Sequence, residues 1–119
     1  MRAAQVIAAN SLIGNRVINS QGEWLGRVED LVIDAAQGQI AYAVLSFQGV
    51  PGLSGRLYAL PWDALALDTE DRTFIIDLAE EMLSEAPAFD RNRWPDMADQ
   101  RWGEAVHRYY GYRPYWEES

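Results

Sequence analysis

The chain has 119 residues, room for one domain with a core large enough to fold unaided. Its net charge is −8, and all ten basic residues are Arg. That balance argues against tracking nucleic-acid phosphates or an anionic membrane surface, since both need a basic footprint. The absence of Cys excludes a disulfide framework and a thiolate metal site.

No window approaches the roughly 18 apolar residues of a membrane helix. Met1 to Gly14 has no basic segment followed by an apolar run, and Gln5, Asn10 and Ser11 break its apolar stretches. These features predict a soluble, cytoplasmic protein without an integral membrane segment. Acidity of this size reads most simply as solubility through mutual repulsion.

In chain order, Ala3 to Ala9 reads as a short extended arm or a frayed turn. Arg16 to Asn19 is a first strand, and Ser20-Gln21-Gly22-Glu23 a tight turn in which Gly22 supplies the positive φ. Trp24 to Asp34 is the second strand, with Gly26 marking a bulge or sharp bend. A turn over Asp34 to Gly38 leads into Gln39 to Phe47, the clearest strand of the chain. Ile40, Tyr42 and Val44 fall on one face, and Ala41, Ala43, Leu45 and Phe47 on the other. Both faces are apolar, so this strand is expected to be central and covered on both sides.

The Gly-rich loop from Gln48 to Gly55 separates it from a fourth strand over Arg56 to Leu60, punctuated by Pro61-Trp62. Asp63 to Leu67 gives a short fifth strand or a turn of helix, and Arg72 to Asp77 the sixth strand after an acidic turn. Six short strands spaced by turn signals point to a small antiparallel barrel, whose closure removes aggregation-prone edges.

The character then changes. Leu78 to Ser84 reads as a short helix, stopped near Ala86-Pro87 because the residue before a proline leaves the α region. Phe89 to Trp94 is a connector, and Pro95-Asp96 opens a second helix with Pro in its first turn. Trp94, Ala98, Trp102, Ala105 or Val106, and Tyr109 form an amphipathic stripe along it, and Gly111 ends it. The final residues are aromatic and then acidic.

Trp94, Trp102, Tyr109, Tyr110, Tyr112, Tyr115 and Trp116 place half of the chain's aromatic rings in its last quarter. Such rings bury large areas and dominate interfaces. They are the candidate partner-binding residues; the simpler alternative is that they close one end of the β unit in the same chain.

Other constellations fall short of chemistry. His107 stands alone, with Glu104 and Arg108 beside it as ordinary helix-surface neighbours, so no metal site is expected. Asp68 to Asp71 lacks the ligand spacing of a calcium loop. Gly49 to Gly55 lacks the lysine of a phosphate cradle. Adjacent carboxylates such as Glu29-Asp30 and Glu80-Glu81 point apart on a strand or around a helix, so neither pair is preset to share a proton. Nucleophilic catalysis needs a base beside an activated Ser, Cys or Lys. The chain offers one His and neither Cys nor Lys, so an enzyme and a cofactor are not expected.

The order and spacing of Gly22, Gly26, Val28, Asp30, Ile33, Asp34 and Gly38, then Tyr42-Ala43-Val44, then Pro61-Trp62, resemble the PRC-barrel family. The likeness covers Ser11 to Leu78. It implies a six-stranded PRC-type β-barrel over residues 11–78, with residues 79–119 a helical, aromatic extension packing on the barrel or across a dimer. In this reading Gly22, Gly26, Asp30, Asp34, Gly38, Pro61 and Trp62 are structural signature positions. Family members serve as docking modules: the cytoplasmic domain of the photosynthetic reaction-centre H subunit, the C-terminal domain of a ribosome maturation factor, and stand-alone small proteins. The chain shows neither the transmembrane helix of the first nor the preceding domain of the second. The resemblance therefore implies a non-enzymatic, homodimeric interaction or assembly module with a protein partner and no direct nucleic-acid contact. A ribosome-assembly factor binding a ribosomal protein, or an accessory of a photosynthetic or membrane complex, are the alternatives.

Overall fold

Short alternating segments closed by Gly turns assemble here as successive hairpins. The computed structural model describes residues 6–117; Ala3 to Gln5 of the expected arm and the acidic end, Glu118 and Ser119, lie outside the described residues. A 3-10 turn at Ala9–Ser11 brings buried Leu12 to the sheet. β1 (Arg16–Asn19) turns through Gly22 at φ 83° into β2 (Trp24–Asp34), and Gly38 at φ 67° carries β2 into β3 (Gln39–Ser46). β4 (Tyr58–Pro61) follows the Gly-rich loop. A 3-10 turn at Trp62–Ala64 leads to β5 (Ala66–Asp68), and β6 (Thr73–Ile76) completes the sheet.

The strands form one sheet in the order β4-β3-β2-β1-β6-β5. All neighbours are antiparallel except β1 and β6, which run parallel with Val17 beside Phe74. This corrects the all-antiparallel expectation. Among the described residues no ladder joins β4 to β5, so the sheet is a curled half-barrel rather than a closed barrel. Its two edge strands are linked through the Trp62–Ala64 turn, where the Trp62 ring meets Phe74 edge-on at 5.8 Å. Three bulges curl the sheet. Partner register slips at Leu25 opposite β1, at Glu29 opposite β3, and at Ala41 opposite β2. Each inserts a residue that increases local twist.

β3 is central, as its two apolar faces require. From Ala41 to Phe47 every residue is buried. One face of the sheet gathers Val17, Val28, Leu45, Phe47, Leu60 and Phe74 into the core. Full burial of each aliphatic or Phe side chain is worth about 1.5–3 kcal/mol. The other face carries Tyr42, which is covered by the C-terminal extension.

In that extension α1 is a single short helix, Glu80–Ser84. Phe89 then pairs with Leu57 as an isolated antiparallel bridge that extends the β4 edge. α2 runs Gln100–Tyr110, five residues later than Pro95-Asp96 suggested. Asp96 is used in a turn of its own, accepting from the Ala98 N–H at 3.1 Å, and Asp99 is the true N-cap, accepting from the Arg101 N–H at 2.9 Å. Side-chain capping of the first free N–H groups fixes where a helix begins. Gly111 closes α2 in the left-handed conformation, as expected. The buried stripe is Gly103, Val106, His107 and Tyr110, with Trp102 and Tyr109 at its margins; Ala98 and Ala105 face outward, and Trp94 precedes the helix.

Candidate functional site: a groove between hairpin and tail

Tyr42 is the hub around which the tail is arranged. Its ring is 1% exposed and meets Trp102 at 5.1 Å and Tyr115 at 6.0 Å, both edge-on. Gly103 allows this approach: a Cβ at that position would lie 2.6 Å from the Tyr42 hydroxyl and 2.7 Å from the Trp116 ring. The Tyr42 hydroxyl has no hydrogen-bond partner among the described residues, and burial drives its ionisation far upward.

His107 fixes the last turn of the tail. Its Nδ1 lies 2.7 Å from the Gly103 carbonyl, which can only accept, so Nδ1 carries the proton. Nε2 is then free to accept the Tyr115 N–H at 3.3 Å. With both nitrogens engaged and the ring 1% exposed, the sole histidine cannot serve as a base for an external substrate. Trp116 stands edge-on to its ring at 5.6 Å.

From there Tyr115 reaches back to the sheet. Its hydroxyl donates to Asp34 Oδ2 at 2.6 Å, while the Gln37 N–H donates to Oδ1 at 3.1 Å. The Tyr115 bond, with backbone donors at Gln37 and Ala36, holds the Asp34 carboxyl below its ordinary value of 3.8. Burial, and then Asp34 itself, push the Tyr115 phenol up to about 12. The signs define a window. Asp34 contributes stability above its ordinary pKa and loses it as pH falls through the depressed one. Tyr115 contributes below pH 10 and loses it as pH rises through about 12. Asp34→Asn is therefore expected to lower the Tyr115 pKa while leaving it above 10, because burial persists. Titration of ring-labelled tyrosine by NMR measures this; a Tyr115 pKa unmoved by the substitution would contradict the contact.

These contacts enclose a groove of about 480 Å³. Val32, Ile33, Asp34 and Gln37 come from the hairpin, Tyr42 from β3, Met97, Asp99 and Gln100 from the entry to α2, and Tyr115 and Trp116 from the tail. The expected partner-binding rings thus divide. Trp102, Tyr109, Tyr110, Tyr115 and Trp116 contact the chain itself, Tyr109 donating to the Met82 carbonyl. Trp94 and Tyr112 remain 43% and 39% exposed. Trp94 donates its indole N–H to the Arg91 carbonyl at 3.0 Å and stacks edge-on with Phe89.

The signature positions hold the hairpins that frame the groove. Gly22 and Gly38 make the turns, Gly26 sits against the β3 backbone, and Asp30 accepts the Leu31 N–H at 2.8 Å. Buried Pro61 ends β4 opposite Tyr42, and half-buried Trp62 packs on Phe74. A further tie had no sequence signal. Glu29 takes Arg91 Nη1 at 3.0 Å and Ser46 Oγ at 2.8 Å, pinning the connector to β2. Burial opposes the ionised form, but these bonds outweigh it and hold the carboxyl below its ordinary range.

The whole is a small curled β-sheet carrying its own aromatic tail, and no group of three metal-ligating side chains occurs among the described residues. Nor is any helix there long and apolar enough to cross a membrane. The family model of the PRC-barrel domain matches residues 4–83, about two-thirds of the chain, and the protein belongs to that family. Comparison with curated proteins gave no match.

Proposed function

We propose that this PRC-barrel chain is a cytoplasmic, self-associating docking module that assembles with a protein partner and catalyses no reaction. The observation that supports this reading most directly is the division of the tail. Trp102, Tyr109, Tyr110 and Tyr115 join or pack against the core and Trp116 packs on His107 and Tyr115 within the tail, while Trp94 and Tyr112 stay open to solvent. Exposed large aromatics are common anchors of protein interfaces. The acidic, Lys-free surface disfavours phosphate backbones, leaving proteins as the class of partner.

Trp94→Ala combined with Tyr112→Ala is expected to convert a dimeric full-length chain to a monomer in light scattering. Both side chains are exposed, so the melting temperature should change by only a few degrees. A variant with the mass of the parent would remove these two rings from the assembly surface.

A further inference from the structure

We propose that the groove between the β2–β3 hairpin and the entry to α2 receives an extended, arginine-bearing segment of a partner protein, laid along the open edge of β2. This rests on the docking reading and names the chemistry of the partner.

The edge follows from unequal strand lengths. β2 has 11 residues and β1 only 4. β1 pairs no further than Arg27, and Gly14 and Asn15 close on Val28. From Glu29 to Ile33 the only strand beside β2 among the described residues is β3. An open strand edge is a template for an added strand, with main-chain bonds for affinity and side-chain pockets for specificity. Ile33 on this stretch is 57% exposed, and Val32 beside it lines the groove.

Charge selects the occupant. The groove is lined by Asp34 and Asp99 and by no basic side chain, and exposed Asp30 lies on the same stretch of β2. The N-terminus of α2 ordinarily attracts anions, but Asp99 already occupies it. A second copy pairing antiparallel through the same edge would crowd the Asp30 and Asp34 carboxylates of the two copies along one short ladder, and like charges across a ladder are unfavourable. A cationic strand meets neither obstacle. Arginine suits the site better than lysine because its planar guanidinium both bridges a carboxylate and stacks on an aromatic face, here Tyr115 or Trp116. Beneath them Tyr42, 1% exposed, forms part of the lining, and its hydroxyl has no hydrogen-bond partner among the described residues.

The test is NMR titration of the labelled full-length chain with the synthetic peptide Thr-Arg-Val-Arg-Val-Arg-Thr-Gly. The same peptide with Glu for each Arg, and spermidine as cation alone, are the controls. The arginine peptide is expected to shift the amides of residues 30–37 and 97–100. The double variant Asp34→Asn with Asp99→Asn should weaken it about tenfold, by removing two facing charges. Ile33→Arg alters only an exposed side chain and should block binding in a chain that melts like the parent, which covers the case of a misfolded double variant. No shifts at millimolar peptide, shifts confined elsewhere, or equal response to the Glu peptide or spermidine would each overturn the proposal. Peptide binding that survives Trp94→Ala with Tyr112→Ala would separate this groove from the self-association surface, so either reading can fail alone.

Discussion

Gly26→Ala is expected to cost on the order of 3–5 kcal/mol, enough to unfold much of the population of a domain of ordinary stability. A Cβ at Gly26 would lie 1.7 Å from the Ser46 carbonyl oxygen, 2.7 Å from its carbon and 2.9 Å from the Phe47 Cα. All three atoms are backbone, so no rotamer change relieves the overlap. β2 and β3 must separate at the point where Val17 faces Gly26 and where Leu25 and Phe47 enter the core. Gly22→Ala provides the contrast. Its Cβ meets nothing within 4 Å, and only its φ of 83° resists, a cost of about 1–2 kcal/mol. Urea unfolding of the two variants should rank them clearly. A Gly26→Ala chain within about 1 kcal/mol of the parent would mean that the strands do not approach so closely.

Gly26 was legible in the sequence as an anomaly, a glycine inside a strand pattern, although the pattern alone could not say whose backbone it admits. The hairpins were legible because their signals are local: period-two alternation and glycine at turns specify β2 and β3 within a few residues. The pairing of β1 with β6 was not, since Val17 and Phe74 are brought together only by the curl of the whole sheet. The start of α2 was misplaced because Pro95-Asp96 and Asp99 both carry N-terminal chemistry, and propensity does not rank two competing caps. His107 looked like a solitary polar residue on a helix. Its i, i+4 relation to Gly103 placed both on one helix face, but His is only intermediate in its tendency to be buried, so the spacing alone did not mark the ring as part of the buried stripe. The groove itself was beyond reach, because it exists only where Asp34 meets Tyr115, 81 positions away in the chain.

Gly103→Ala sets two effects of opposite sign against each other. In an isolated helix alanine is better than glycine by about 1 kcal/mol. Here the added methyl would sit 2.6 Å from the Tyr42 hydroxyl and 2.7 and 2.9 Å from two atoms of the Trp116 ring. Tyr42 cannot retreat, since it is fully buried between β2 and β4 partners in the central strand. Trp116 can, because it lies in the terminal 3-10 turn and is only half-buried. Overpacking of this kind costs about 1–3 kcal/mol, so the strain outweighs the propensity gain and the chain is expected to be destabilised. Trp116 should move first, taking with it the edge-on contact to His107 and one wall of the groove. Fluorine-labelled tryptophan would report this as a shifted, solvent-like Trp116 resonance beside unchanged signals from Trp24 and Trp62. A variant about 1 kcal/mol more stable than the parent, with Trp116 unmoved, would show that α2 stands further from Tyr42 than the packing requires. In that case Gly103 would be an ordinary helix glycine. The expected result instead makes it the position at which the tail, the helix and the sheet are held to one spacing.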